Sequence, residues 1–298
     1  MYLQYYRQLP NFGDALNPLL AERVFGDIFS DDETRKVLFI GTIIEPSAQS
    51  GSHEIVVGAG AGYKRGRYSV DNRTVLCVRG PLTCDMLGID RLHAAIDPAI
   101  LTSRFFTKSR TTGPAFMPHH HTHSTAGDAL EAICGDIGIR YISPLDDAET
   151  IISQIAGSSC VIAEALHGAV VAESYGVPWV PVIFGSKVLE SKWRDFAATI
   201  GNDYWPVDIS RNIAFDGIVR PTNVMKYALA RAGIGKAKYK YLPVKRATHS
   251  AIGLLQRDLF KLKHGPFVKP DKAVKAKSIE KLDTAICRFH EMYPGTRQ

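Results

Sequence analysis

The stretch 159–184, Ser-Cys-Val-Ile-Ala-Glu-Ala-Leu-His-Gly-Ala-Val-Val-Ala-Glu-Ser-Tyr-Gly-Val-Pro-Trp-Val-Pro-Val-Ile-Phe, constrains the fold more than any other part of the chain. Cys160 to Ala163 is a short apolar, β-branched run of the kind a buried parallel strand uses. Leu166, Ala169 and Val170 then follow a helical spacing that Gly176 and Pro178 close, and Val180 to Phe184 resumes a strand. In such a unit the helix opens at the carboxyl end of the first strand. Its unpaired N–H groups and its dipole favour an anion in the crevice above the sheet. His167 and Gly168 stand at that spot. The His can add a proton or a positive charge, and the Gly admits a ligand close to the backbone; the plainer alternative is a hydrogen-bonded structural His.

The same alternation runs through the chain. Tyr2 to Tyr6 reads as a strand, and Asn11-Phe-Gly-Asp-Ala-Leu-Asn-Pro18 as the turn into a helix ending near Phe25. Asp14 fits two roles there. It is a good N-cap, with Pro18 in the first turn, and it is a carboxylate at the carboxyl end of strand one, where open α/β sheets keep catalytic groups. Lys36 to Ile44, Glu54 to Gly58 and Arg73 to Val78 are further strands. The last delivers Arg79-Gly-Pro-Leu-Thr83, with Pro81 opening a helix that Gly88 ends. Arg79 is thus either a fork for a carboxylate or phosphate or an ordinary ion-pair partner. The glycine run 58–62, followed by Lys64, Arg65 and Arg67, matches neither a Walker loop nor the dinucleotide fingerprint and reads as a surface turn.

Ser103 to Gly113 is polar, basic and aperiodic, which sets a boundary between a domain at 1–105 and another at 106–230. The second begins with a strand at Pro114–Met117, then Pro118-His-His-His-Thr-His123, a helix from Ala126 to Gly138, a strand from Arg140 to Ser143, and a helix capped by Asp146. The histidine cluster lacks a carboxylate or Cys at the usual spacing, so no metal is expected; His119, at the strand end, is the candidate of interest. Trp193 and Phe196 are core positions of a later helix.

A chain of 298 residues accommodates two domains, and no run of about 20 apolar residues spans a membrane. Five widely spaced cysteines and no visible secretory signal fit a reducing cytoplasm. The net charge of +6 is uneven: from Arg231 onward 16 Lys or Arg stand against 5 Asp or Glu, a net of +11 that leaves −5 for residues 1–230. Within this extension, 231–298, the residues Ile252, Leu254, Leu255, Leu259, Phe260 and Leu262 alternate with Arg257, Lys261 and Lys263 as a basic amphipathic helix. It either packs on the domains with a solvated basic face or meets an anionic membrane surface. No nucleic-acid motif accompanies the charge, so no nucleic acid is expected.

Asn11-x-Gly13-Asp14, Arg79-Gly-Pro-Leu-Thr83, Asp97-Pro-Ala-Ile-Leu101, Pro118-His119 and Glu164-Ala-Leu-His-Gly168, in this order, resemble the motifs of the polysaccharide pyruvyl transferase family, and within it the exopolysaccharide, succinoglycan-type ketal transferases. The resemblance covers about residues 1–200. It implies two Rossmann-like domains facing a cleft, similar to the B-type glycosyltransferase fold. Phosphoenolpyruvate would be the donor, with no further cofactor, and an oligosaccharide on a polyprenyl carrier the acceptor. It also implies catalytic roles for Asp14, His119 and His167, donor binding by Arg79, His167, Gly168, Asn11 and Gly13, and work in the cytoplasm, peripheral to the inner face of the membrane. Many members carry an Arg two residues before the His of the His-Gly block; this chain has Ala165. The rival readings are a nucleotide-sugar glycosyltransferase of the same fold and a non-catalytic glycan-binding protein.

Overall fold

The computed structural model describes residues 1–8, 10–107, 113–184, 188–209 and 249–294. Much of the expected boundary near 103–113 and the start of the basic extension lie outside the described residues. Two fully parallel sheets form. The first holds β1 (Tyr2–Gln4), β2 (Arg35–Leu38), β3 (His53–Val57) and β4 (Arg73–Cys77), side by side in chain order. The second holds β5 (Ala115–Met117), β6 (Arg140–Tyr141), β7 (Val161–Ala163), β8 (Trp179–Ile183) and β9 (Val207–Asp208), in the order β6-β5-β7-β8-β9. The helices are α1 (Phe12–Phe25), α2 (Pro81–Leu87), α3 (Thr102–Phe105), α4 (His120–Asp136), α5 (Ala148–Ala156), α6 (Leu166–Ser174), α7 (Glu190–Thr199), α8 (His249–Leu262) and α9 (Lys272–Met292).

Helices α4 to α7 make every crossover of the second sheet, as parallel strands require, whereas the links 39–52 and 58–72 of the first sheet contain no helix. The second sheet reverses its building direction between β5 and β7. That gap is the topological switch point where open α/β sheets bind ligands.

One continuous core joins the halves: Phe12, Leu16 and Leu20 of α1, Ile55 and Val57 of β3, Ile151 and Ile155 of α5, and Ala169 and Val170 of α6 belong to it. Leu255, Leu259 and Leu262 of α8 are buried against Phe116, Ile162 and Val182 on the second sheet. The apolar face that a membrane reading would use is therefore inside the protein, while Arg257 and Lys261 point outward. Helix α9 returns to the first sheet, where Phe289 meets Phe25 at 4.6 Å between ring centroids. Among the described residues no helix is long and apolar enough to cross a membrane.

Several helix starts differ from expectation. Asn11, not Asp14, caps α1, its side chain accepting from the Asp14 N–H at 3.1 Å, so Pro18 falls in the second turn. Asp147, not Asp146, caps α5. Helix α4 begins at His120, ahead of Ala126, where the helix kinks. The reason is Glu164 at the end of β7: its buried carboxylate accepts from the His119 N–H at 2.8 Å and from Thr122 Oγ1 at 3.0 Å, which holds an extra turn in place.

Candidate active site

A cavity of about 1030 Å³ opens at the carboxyl ends of the strands and draws on both halves. From the first half come Tyr2, Tyr5, Tyr6, the start of α1 and Tyr63; from the second come Met117, His119, His120, His121, His167 and Lys192. Asn11, Gly13, Asp14, His119 and His167 thus share one space, although up to 156 positions separate them in sequence.

Because Asn11 takes the capping role, the Asp14 side chain in the first turn of α1 is left to face the cavity, where the Asn11 amide donates to it. Burial pushes the Asp14 carboxyl above its ordinary value, against the opposing pull of Asn11, His167 and Lys192. A carboxyl so placed keeps its proton to higher pH than an exposed one.

His167 sits in the first turn of α6, whose N-cap position, Ala165, offers no side-chain hydrogen bond. Its ring rests against α1 of the other half: a Cβ added at Gly13 would lie 2.1 Å from His167 Nδ1. Gly13 therefore makes room for His167. On its other side Nε2 is 3.5 Å from Oδ2 of Asp97, at the outer limit of a hydrogen bond, and neither atom has another partner among the described residues. Burial alone would push the fully buried Asp97 carboxyl up, but His167 and Arg79 outweigh it and hold the group below the usual carboxylate range. The Asp97-Pro block is thus the device that orients His167, a role sequence reasoning left unassigned.

His119 caps α4 and is buried. Burial, then Lys192, His120 and His121, lower its pKa to about 2, which leaves a neutral imidazole at physiological pH. Ring nitrogens of the three consecutive histidines lie within 4.8 Å of one another. Neighbouring rings lie 4.1–4.2 Å apart between centroids, tilted by 39°, and the three nitrogens are close enough together to serve one cation.

Two expected donor ligands fall elsewhere. Arg79 is 1% exposed and does not line the cavity. Its Nε donates to Asp195 Oδ2 at 3.1 Å and its Nη1 to Thr42 Oγ1 at 2.7 Å. Asp195, from α7, also accepts from the Leu82 and Thr83 N–H groups at 2.9 and 3.2 Å and from Thr83 Oγ1 at 2.6 Å, so it caps α2 from the other half. Gly80 leaves the space for this, since a Cβ there would meet the Asp195 carbonyl oxygen at 2.3 Å. Arg79-Gly-Pro-Leu-Thr83 is a socket for Asp195. Gly168 faces the core as well, where a Cβ would strike Met117 Sδ at 2.7 Å, so its missing side chain serves helix–strand packing. The glycines ahead of Lys64 are likewise spoken for: Gly58 abuts Pro98 and Gly60 the Arg79 guanidinium.

Two parallel α/β sheets with ionisable groups gathered at a switch point define a ligand-binding α/β protein with the makings of acid–base chemistry. Residues 11–184, more than half of the 298-residue chain, match the polysaccharide pyruvyl transferase family, and the chain belongs to it. Asn11, Asp14, Arg79, Asp97, His119, Glu164 and His167 all fall inside the matched region. The chain is also similar to the succinoglycan biosynthesis protein ExoV of Rhizobium meliloti (strain 1021), at 30% identity over 202 residues, 66% of this chain and 63% of that protein. It therefore spans less than two thirds of that relative's length. No solved structure gives a significant match.

Proposed function

We propose that the protein transfers the pyruvyl group of phosphoenolpyruvate to two hydroxyls of one sugar in a polyprenyl-linked exopolysaccharide precursor, forming a ketal and releasing phosphate. The observation that carries this reading is the meeting of Asp14, His119 and His167, from two halves, in one cavity. In the proposed chemistry the Asp14 carboxyl gives its proton to the methylene carbon of the donor, and a sugar hydroxyl adds to the cationic carbon beside it. A second hydroxyl then displaces phosphate, and of the two protons the hydroxyls release, one restores Asp14 and the other leaves with the product. Asp14 suits the acid role because burial raises its carboxyl above the ordinary value. His119, held neutral by burial and then by the neighbouring charge of Lys192, suits the receiving role. His167, aligned by Asp97, suits contact with the donor at the start of α6.

On this reading the two sheets act as facing Rossmann-like domains of the B-type glycosyltransferase kind, with Arg79 a bolt between them and not a donor ligand. The basic groups turned outward on α8 supply an electrostatic attraction to an anionic inner membrane, which sedimentation with anionic vesicles at low and high salt checks. The main test supplies phosphoenolpyruvate and a lipid-linked oligosaccharide precursor and measures phosphate release beside a new ketal in the product. Phosphate and ketal should appear in equal amounts. Consumption of a nucleotide-sugar in place of phosphoenolpyruvate would overturn the reading.

A further inference from the structure

Among the described residues three long cationic side chains line the cavity, and two of them are held by other groups. Arg7 donates to the Leu3 carbonyl at 3.2 Å and lies over the rings of Tyr2 and Tyr5, at 4.9 and 4.4 Å from their centroids. Lys64 pairs with Glu45 at 2.5 Å. Lys192 has no ion pair among the described residues; its Nζ donates to the Tyr63 hydroxyl at 3.4 Å and lies 5.9 Å from the centroid of that ring. Its charge nevertheless bears on Asp14, His119 and His120.

The place of Lys192 on the cavity wall is set by its neighbours on α7. Trp193 and Phe196 are buried in the shared core, and Asp195 is locked between Arg79 and the start of α2. A helix fixed on three sides thus presents one half-buried, unneutralised ammonium to a cavity already lined with imidazoles. An uncompensated cation so placed is stabilised by an anion arriving from solution.

We propose that Lys192 binds the phosphate group of the donor, in a subsite bounded by His119, His120 and Tyr63. The proposal rests on the phosphoenolpyruvate reading for the identity of the ligand, but the subsite itself is one for a phosphate oxyanion. It also gives a cation to a site whose Arg79 is buried and whose helix α6 has Ala165 at its N-cap. Lys192 lies beyond the family-matched region, which ends at residue 184.

The test is calorimetric titration of the full chain and of Lys192→Met and Lys192→Arg with phosphoenolpyruvate, inorganic phosphate and pyruvate, after checking that the variants melt like the parent. Losing a charge-assisted contact should weaken phosphoenolpyruvate and phosphate about 10- to 100-fold in Lys192→Met, with most of the affinity kept in Lys192→Arg. Pyruvate, which lacks the phosphate, should be unaffected. Parent-like phosphate affinity in Lys192→Met, a loss confined to pyruvate, or no binding of either phosphate compound by the parent overturns the proposal. A phosphate loss in Lys192→Met in a protein that pyruvylates no sugar leaves the subsite standing and removes the donor reading instead.

Discussion

The wall of the cavity built by the second sheet and the wall built by the first reach the same space by different means. In the second, β5 and β7 are neighbours whose onward connections depart in opposite directions, so His119 and His167 emerge on either side of one gap without any special turn chemistry. The first sheet has no such reversal, and its contribution hangs on the first turn of α1, where Asn11 caps, Gly13 yields to His167 and Asp14 is left facing the ligand space. The second wall carries imidazoles and Lys192; the first brings tyrosines, the Asp14 carboxyl, and the cations Arg7 and Lys64, each held by first-half neighbours. Strand order is a robust way to place a side chain, while a helix start is a delicate one. Substitutions should therefore act differently on the two walls.

The largest effect is expected where the walls touch. His167→Asn, which keeps a polar side chain beside Asp97, should lower turnover about 10²- to 10⁴-fold while the thermal transition stays close to the parent's. Initial rates of phosphate release check this, and turnover near the parent level would detach His167 from the chemistry. Next in size is the bolt between the halves. Arg79→Ala leaves Asp195 charged and buried, a situation that costs about 3–5 kcal/mol, so denaturant unfolding should show a large loss of stability. An Arg79→Ala protein of parent stability but weakened donor binding would return Arg79 to the ligand site.

A smaller effect concerns the second wall alone. His119 has a folded-state pKa of about 2 against an ordinary 6.5, so the fold favours its neutral form. Its contribution is complete above pH 6.5 and is lost progressively as pH falls from there toward about 2, because the unfolded chain binds the proton first. His119→Asn should flatten that acid limb in unfolding curves measured from pH 7 downward. An unchanged limb would mean that His119 is not held neutral.

Much of this was legible in sequence, for stated physical reasons. Buried parallel strands are apolar runs whatever surrounds them, so the strands at 54–58, 73–78, 114–117 and 160–163 fall where the pattern puts them, within about a residue or two. Candidates at strand ends, Asp14, His119 and His167, share the cavity for the same reason. Which of its two readings Arg79 follows was not legible, because its partner Asp195 is 116 positions away and a fork for a ligand and a fork for a buried Asp look alike in sequence. Lys192 escaped notice because a Lys on an amphipathic helix is ordinarily solvated, and only the docking of α7 turns it inward. Glu164 was visible as part of a motif, but its hold on the starts of α4 and the end of β8 depends on strand order. The apolar face of α8 was legible, its burial on the second sheet was not.

The proposed reaction requires Asp14 to deliver a proton from the first wall to a donor held by the second. The direct measurement is the reaction run in deuterated water, comparing the parent with Asp14→Asn, whose helix is still capped by Asn11. The parent should form a ketal whose methyl group carries one deuterium, and Asp14→Asn should bind phosphoenolpyruvate normally while forming that ketal about 10²- to 10⁴-fold more slowly. A methyl group without deuterium, or parent-rate ketal formation by Asp14→Asn, would contradict it.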